Sequence, residues 1–341
     1  MNCPGCRFHS RETRIESPGD QSVEDLSPEM FEKLCKELRA MKTGTLFLLG
    51  EGEPFLHERF TDIVSLAKGY GFYLSVITNG TLLDAESLLP LIRSGLDSLQ
   101  VSLWASSAEE FEEQYPGVDP TVFSKIVRGL TLLRDMKVEE GSPLPSAVLH
   151  QPINRINFQC VDEVVDLAQE TGCEAVSFSP FLSHHGKLKS YSLSREEEES
   201  LFISLKRLKA RMKGLPLVHN IDRVLLRYRA GPLTGWRPPC YIAWYHSRVR
   251  VDGTVVPCGP CNKTMGSLAE ESFQEIWNGR AYRRFRRQLM DDGNLAPQDS
   301  DCDCEFCCYV EDSLRIHRVF RWVAPLTPGR RRSARGGNGH Q

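Results

Sequence analysis

Leu46-Phe47-Leu48-Leu49-Gly50-Glu51-Gly52-Glu53-Pro54 is a four-residue apolar run that stops at a glycine and gives way to two carboxylates and a proline. An uninterrupted apolar tetrad bounded by a turn signal reads as a short strand buried on both faces, the kind a parallel sheet uses when helices cover it. Upstream, Ser27-Pro28-Glu29 starts a helix well, with an N-cap serine, a proline at the first helical position, and Met30, Phe31, Leu34, Leu38 and Met41 at helical spacing. Cys35 lies on that helix and reads as packing. Downstream the alternation repeats, with helices predicted over 61–70, 84–94, 122–136 and 161–171 and strands over 72–77, 99–103, 147–149 and 175–178. A helix rich in Glu, Lys and Arg, 195–212, closes the series. Regular alternation of this kind is the signature of an α/β fold with a parallel sheet, here counted at five strands.

Ligands of parallel α/β sheets collect at the carboxyl ends of the strands, so the residues just after each strand carry the most information. After the first strand stand Glu51, Gly52, Glu53 and Pro54, after the second Thr78-Asn79-Gly80, and at the end of the third Ser102. Glycine allows close backbone approach to a ligand, and an exposed carbonyl or carboxylate accepts hydrogen bonds from an ammonium group. Taken singly, these segments also read as a Gly-Pro turn with solvated glutamates and an ordinary Asn-Gly turn. Trp104, His150, Gln151, Asn154, Ser179, Phe181, His184 and His185 lie at or just beyond later strand ends and are candidates for facing a substrate. The His184-His185 pair reads either as acid, base or ligand, since imidazole titrates near neutrality, or as a polar loop.

The chain has 341 residues, 40% of them hydrophobic, enough for one large domain plus a small one. Its twelve cysteines are grouped, with Cys3 and Cys6 at the front, a set from Cys240 to Cys308 at the back, and Cys35, Cys160 and Cys173 between. Short spacings without a signal peptide argue for metal or cluster ligation in a reducing cytoplasm rather than a disulfide framework. No apolar run approaches the roughly 20 residues that span a bilayer. A formal charge of −3 gives no basis for general nucleic-acid binding. Residues 328–341, with Arg330, Arg331, Arg332 and Arg335 among glycines, read as a disordered basic tail.

From Lys213 the character changes: Gly231, Pro232, Gly235, Pro238 and Pro239 mark a linker over 213–239. Beyond it Cys240 precedes Trp244, and two short strands flank Asp252-Gly253 as a hairpin that ends at Cys258. Gly266-Ser267-Leu268 follows, then Ser272-Phe273 and Glu275-Ile276-Trp277-Asn278 opening a helix, and finally Cys302, Cys304, Cys307 and Cys308. Four thiolates in a small hairpin module suit either a structural zinc site or an iron-sulfur cluster. Cys3-Pro4-Gly5-Cys6 is likewise open on spacing alone, between a zinc knuckle, a redox dithiol and an iron-sulfur site.

Met1-Asn2-Cys3-Pro4-Gly5-Cys6 resembles the last six positions of the C-N-x-N-C-P-G-C cluster motif of radical SAM enzymes, and G-E-G-E-P, T-N-G and V-S-L resemble that superfamily's strand-end segments in the same order. About seventy positions, from Cys240 to Cys308, resemble the SPASM extension of these enzymes. The resemblance implies a partial (β/α)6 TIM-like barrel over 1–212, lacking its first strand, with the first cluster cysteine ahead of Met1. It further implies a SPASM-type domain over 240–308 and a C-terminal extension over 309–341. By the same resemblance Cys3 and Cys6 would hold a 4Fe-4S cluster, and Glu51, Gly52, Glu53, Pro54, Thr78 and Ser102 would contact S-adenosylmethionine. Cys240, Cys258, Cys304 and Cys307 would hold one auxiliary 4Fe-4S cluster, with Cys261 competing with Cys258. The implied activity is reductive cleavage of S-adenosylmethionine to a 5′-deoxyadenosyl radical that modifies a peptide or small molecule, with a flavodoxin- or ferredoxin-like electron donor. The reading from another class is a non-catalytic iron-sulfur or zinc scaffold.

Overall fold

The computed structural model describes residues 6, 26–181, 188–229, 240–291 and 309–323, and the architecture below is that of these residues. Six strands run parallel in one sheet in sequence order: β1 (Thr45–Leu48), β2 (Tyr73–Thr78), β3 (Ser98–Ser102), β4 (Ser146–Ile153), β5 (Ala175–Pro180) and β6 (Val218–His219). Helices α1 (Pro28–Ala40), α2 (Phe60–Gly69), α3 (Ala85–Arg93), α4 (Ala108–Gln114), α5 (Thr121–Glu139), α6 (Val161–Thr171) and α7 (Arg195–Met212) cross over between them. Ser27 caps α1 as expected, its Oγ accepting the Met30 amide at 3.2 Å.

Two expectations are corrected. The sheet has a sixth strand, and it lies inside the stretch read as linker: β6 is followed by helix α8 (Ile221–Arg229), which packs against α7. A two-residue strand offers no periodicity to read, and the prolines and glycines that suggested a linker all fall after residue 230. The opening strand is also not buried on both faces. β1 pairs with β2 alone among the described strands, and Phe47 stays 57% exposed because it faces away from the covering helices.

The sheet has two unlike faces. Leu74, Val76, Leu99, Val101, Leu149 and Val176, all at most 1% exposed, lie under the helices and form the centre of the core. Burying each such side chain stabilises the fold by about 1.5–3 kcal/mol. The alternate residues are mostly polar: Ser75, Gln100, Ser102, His150, Ser177 and Ser179, with Ser102, His150 and Ser177 abreast on neighbouring strands. At the amino ends one device is used twice. Asp97, just before β3, accepts the Leu74 amide of β2 at 2.7 Å and the ammonium of Lys68 from α2. Glu174, just before β5, accepts the Ala147 amide of β4 at 2.7 Å and the ammonium of Lys137 from α5.

The second module is a three-stranded antiparallel sheet, β7 (Arg248–Val249), β8 (Thr254–Val256) and β9 (Gly266–Ser267), with helices α9 (Phe273–Asn278) and α10 (Arg280–Asp291). The Asp252-Gly253 turn is as expected: Asp252 Oδ1 accepts the Thr254 amide at 2.8 Å, and Gly253 takes φ +78°, which a side chain would strain. Ser272 and Glu275 form a capping box on α9. The module sits on the barrel through α1, where Glu37 Oε2 accepts the Phe273 amide at 2.6 Å and satisfies one of the open N–H groups of α9's first turn. Helix α11 (Val310–Val323), in the expected C-terminal extension, returns to α8 through ion pairs Arg223–Asp312 and Arg227–Glu311.

Candidate active site

The expected site residues fall at the carboxyl end of the sheet, and the structure ties several of them together. Gly50 ends β1's turn at φ +56°, a conformation that favours glycine, and a Cβ there would press on the backbone of Gly52 at 3.3 Å. Glu53 caps a short helical turn that starts at Pro54, accepting the Phe55 amide at 3.4 Å. The same carboxylate accepts the Thr78 hydroxyl at 2.6 Å and the Asn79 amide at 2.8 Å. Thr78 is buried and its Oγ1 in turn accepts the Gly80 amide at 3.0 Å. Glu53 and Thr78 are thus joined to each other across the ends of β1 and β2, and their polar atoms are engaged within the protein.

Glu51 is held from the other module, in ion pairs at 3.7 Å with Arg248 and 3.8 Å with Arg250. Ser102, at the end of β3, accepts the Trp104 indole N–H at 3.2 Å and keeps its own hydroxyl proton to donate. Trp104 packs edge-on to Phe181, 5.8 Å between centroids, so the two aromatics form a wall beside Ser102. On the next strands His150 Nε2 lies 3.2 Å from Ser179 Oγ, while its buried Nδ1 has no hydrogen-bond partner among the described residues. Burial pushes the His150 imidazole down to about 4, so the ring is neutral at physiological pH.

Two candidates are redirected. Gln151 alternates with His150 and therefore lies on the helix side of the sheet, fully buried. Asn154, also fully buried, makes a reciprocal amide pair with Gln114 at 3.1 Å in each direction, a structural brace. The Gln151 misplacement comes from reading position along the strand without its two-residue period, whereas Asn154 lies past the end of β4 and is taken by a tertiary partner on α4. The same period, applied to β3 and β5, would have found Gln100 and Ser177, which the strand-end reading passed over. Arg248 and Arg250 gave no signal, because their contact with Glu51 joins residues nearly 200 positions apart.

Of the expected cluster cysteines, Cys6, Cys240 and Cys258 are described, and Cys3, Cys304 and Cys307 lie outside the described residues, as do Cys302, Cys308, His184 and His185. Cys6 is half-buried, Cys240 and Cys258 are buried, and Cys240 forms no disulfide. Cys261 is fully buried and disulfide-bonded, so it stands within reach of another thiol. Burial raises the Cys240 thiol, and an N–H···S hydrogen bond from the Ile242 amide opposes that, as suits a thiolate ligand. Cys35, buried on α1 and pushed up to about 12 by burial, is packing. Among the described residues no three Cys, His, Asp or Glu side chains converge as a metal site. No helix among them is long and apolar enough to cross a membrane.

Comparison with known proteins agrees with the geometry. Residues 1–185 match the model of the radical SAM superfamily, and residues 240–311 match SPASM, an iron-sulfur cluster-binding domain. The chain belongs to the radical SAM superfamily of enzymes, with a SPASM domain as its second module. It is 24% identical to the tungsten-containing aldehyde ferredoxin oxidoreductase cofactor-modifying protein of Pyrococcus furiosus, over 83% of this chain and 81% of that protein. It is also 24% identical to the PqqA peptide cyclase of Granulibacter bethesdensis, over 84% of this chain and 73% of the cyclase. Among solved structures, Streptococcus suis SuiB bound to S-adenosylmethionine superposes with a TM-score of 0.64 at 15% identity, over 91% of this chain and 70% of SuiB. SuiB bound to its precursor peptide SuiA superposes with a TM-score of 0.61 at 15% identity, over 90% of this chain and 69% of SuiB.

Membership implies S-adenosylmethionine, a 4Fe-4S cluster and auxiliary iron-sulfur chemistry. The residues fit: buried thiols at Cys240 and Cys258, the first with an N–H···S bond, and a glycine turn that a Cβ would crowd.

Proposed function

We propose that this enzyme uses a 4Fe-4S cluster held at its amino-terminal cysteines to cleave S-adenosylmethionine reductively, releasing a 5′-deoxyadenosyl radical that modifies a peptide. Cys3 and Cys6 would be two of the cluster's ligands, and Cys240, Cys258, Cys304 and Cys307 those of one auxiliary 4Fe-4S cluster, with Cys261 the alternative to Cys258. The observation that carries the reading is the convergence of G-E-G-E-P, T-N-G and Ser102 at one end of a parallel sheet, the first two joined there by the Glu53 carboxylate.

The chain's own residues hold and shield. Glu53 fixes the loops after β1 and β2 in register, so the turn through Gly50 and Gly52 is held in place before a ligand arrives. Ser102 offers a hydroxyl proton to a ribose or carboxylate oxygen. Trp104 and Phe181 exclude water from the space beside it. His150, neutral because it is buried, has its Nδ1 available as donor or acceptor to a substrate on the sheet's polar face. A peptide is favoured over a small metabolite by the relatives that act on or bind peptides, and an electron donor of flavodoxin or ferredoxin type would supply the reducing electron.

The test is anaerobic reconstitution of the protein with iron and sulfide. Iron and 5′-deoxyadenosine are measured together. The expected result is about two 4Fe-4S clusters per chain, with deoxyadenosine release lost in Cys3→Ala and Cys6→Ala and retained in Cys35→Ala. Release that persists without the front cysteines, or zinc in place of iron, defeats the reading.

A further inference from the structure

Arg248 and Arg250 stand on and just beyond β7, and each side chain spans from the auxiliary module to the barrel's first strand-end loop. Arg248 is 14% exposed; its Nη2 lies 3.4 Å from the Gly50 carbonyl, to which it donates, and 3.7 Å from Glu51 Oε1. Its other terminal nitrogen faces the cysteine loop, for a Cβ added at Gly259, the residue after Cys258, would sit 3.8 Å from Nη1. Arg250, 16% exposed, repeats the span: its Nε is 3.8 Å from the same Glu51 oxygen, and its Nη2 donates at 3.1 Å to Asn262 Oδ1, one residue past Cys261. Two guanidiniums therefore reach one carboxylate of the barrel and the single turn that carries Cys258 and Cys261.

Sequestering a guanidinium from water is costly, and Arg248, largely buried, is held there by the Glu51 carboxylate and the Gly50 carbonyl. Neither arginine is required by the fold of a hairpin strand, whose partner contacts are backbone bonds. We propose that Arg248 is a positioning residue that sets the reduction potential of the auxiliary cluster and, through Gly50 and Glu51, fastens that cluster's loop to the loop that cradles S-adenosylmethionine. The inference rests on the proposed auxiliary site. A fixed positive charge beside a thiolate-bound cluster stabilises the form that has gained an electron, and in a partly buried site this effect is screened little. Glu51 acts in the opposite sense on the same atoms. It is thus the regulator of Arg248, and its carboxylate is already committed to guanidinium.

The test isolates the auxiliary cluster in a Cys3→Ala/Cys6→Ala background, reconstituted with iron and sulfide, and follows its reduction by electron paramagnetic resonance against a potentiometric scale. Arg248→Gln is expected to move the midpoint to lower potential, Arg248→Lys to leave it near the parent value, and Glu51→Gln to move it to higher potential. A purely structural role moves cluster content without this sign reversal. Midpoints of Arg248→Gln and Glu51→Gln that coincide with the parent, or that shift in the same direction, overturn the proposal. Should Arg248→Gln fail to hold iron, the upward shift of Glu51→Gln decides. A parent background with no iron-sulfur signal at all defeats the auxiliary-cluster reading itself, an outcome distinct from a signal whose potential ignores both variants.

Discussion

The two ends of the parallel sheet use the same chemistry, carboxylates accepting backbone N–H groups, for different purposes. At the amino ends Asp97 and Glu174 each bind one strand amide and one helix lysine, joining strand to strand and strand to helix. At the carboxyl ends Glu53 also binds a backbone amide, but its other partner is Thr78, the opening residue of the T-N-G turn, while Ser102 keeps a hydroxyl proton to donate and the buried Nδ1 of His150 makes no hydrogen bond among the described residues. The amino end closes every bond it makes, while the carboxyl end braces its loops and leaves acceptors and donors over. Stability and ligand capture are thereby assigned to opposite ends of the same strands.

Breaking the amino end is expected to have the largest effect. Asp97→Ala removes the acceptor of a strand amide and leaves Lys68, only 20% exposed, with the Phe72 carbonyl but no counter-charge, and should cost about 2–4 kcal/mol in denaturant unfolding. It should leave the affinity of the folded protein for S-adenosylmethionine unchanged; a large affinity change with little loss of stability would abolish the distinction between the ends. The second effect is pH-dependent. Because burial lowers the folded imidazole of His150 from 6.5 to about 4, the unfolded chain binds the extra proton first as pH falls. The associated stability is fully present above about 6.5 and is lost as pH drops toward about 4, at most ~3 kcal/mol in total. His150→Phe should flatten that part of the stability profile, and an unchanged profile would place the ring in water. The smallest change in stability belongs to Ser102→Ala, less than about 1 kcal/mol, since only the Trp104 indole loses its acceptor. Its expected signature is instead several-fold weaker retention of S-adenosylmethionine in equilibrium dialysis.

The same contrast explains what could be read from the chain. Alternating helix and strand signals located α1 to α7 apart from the short α4, and β1 to β5 within a few residues, because each long element carries its own periodicity. The ordered strand-end segments placed Glu53, Thr78 and Ser102 at one end of the sheet, and the hairpin with its capping box located the second module. β6 escaped because two residues have no period, and Phe47 was misplaced because apolarity does not reveal whether a strand lies at an edge. Proximity to a strand end does not place Gln151, whose side of the sheet depends on parity, or Asn154, whose partner Gln114 is 40 positions away. The clasp of Arg248 and Arg250 on Glu51 is a tertiary contact between distant segments, and no local pattern encodes it.

One carboxylate, that of Glu53, grips both Thr78 and Asn79 while capping its own turn. The two neighbouring loops therefore share a single hinge-free anchor, and whatever seats itself against one finds the other already in place. The entropy of arranging them was spent when the chain folded, so an arriving molecule is spared it and gains correspondingly in residence.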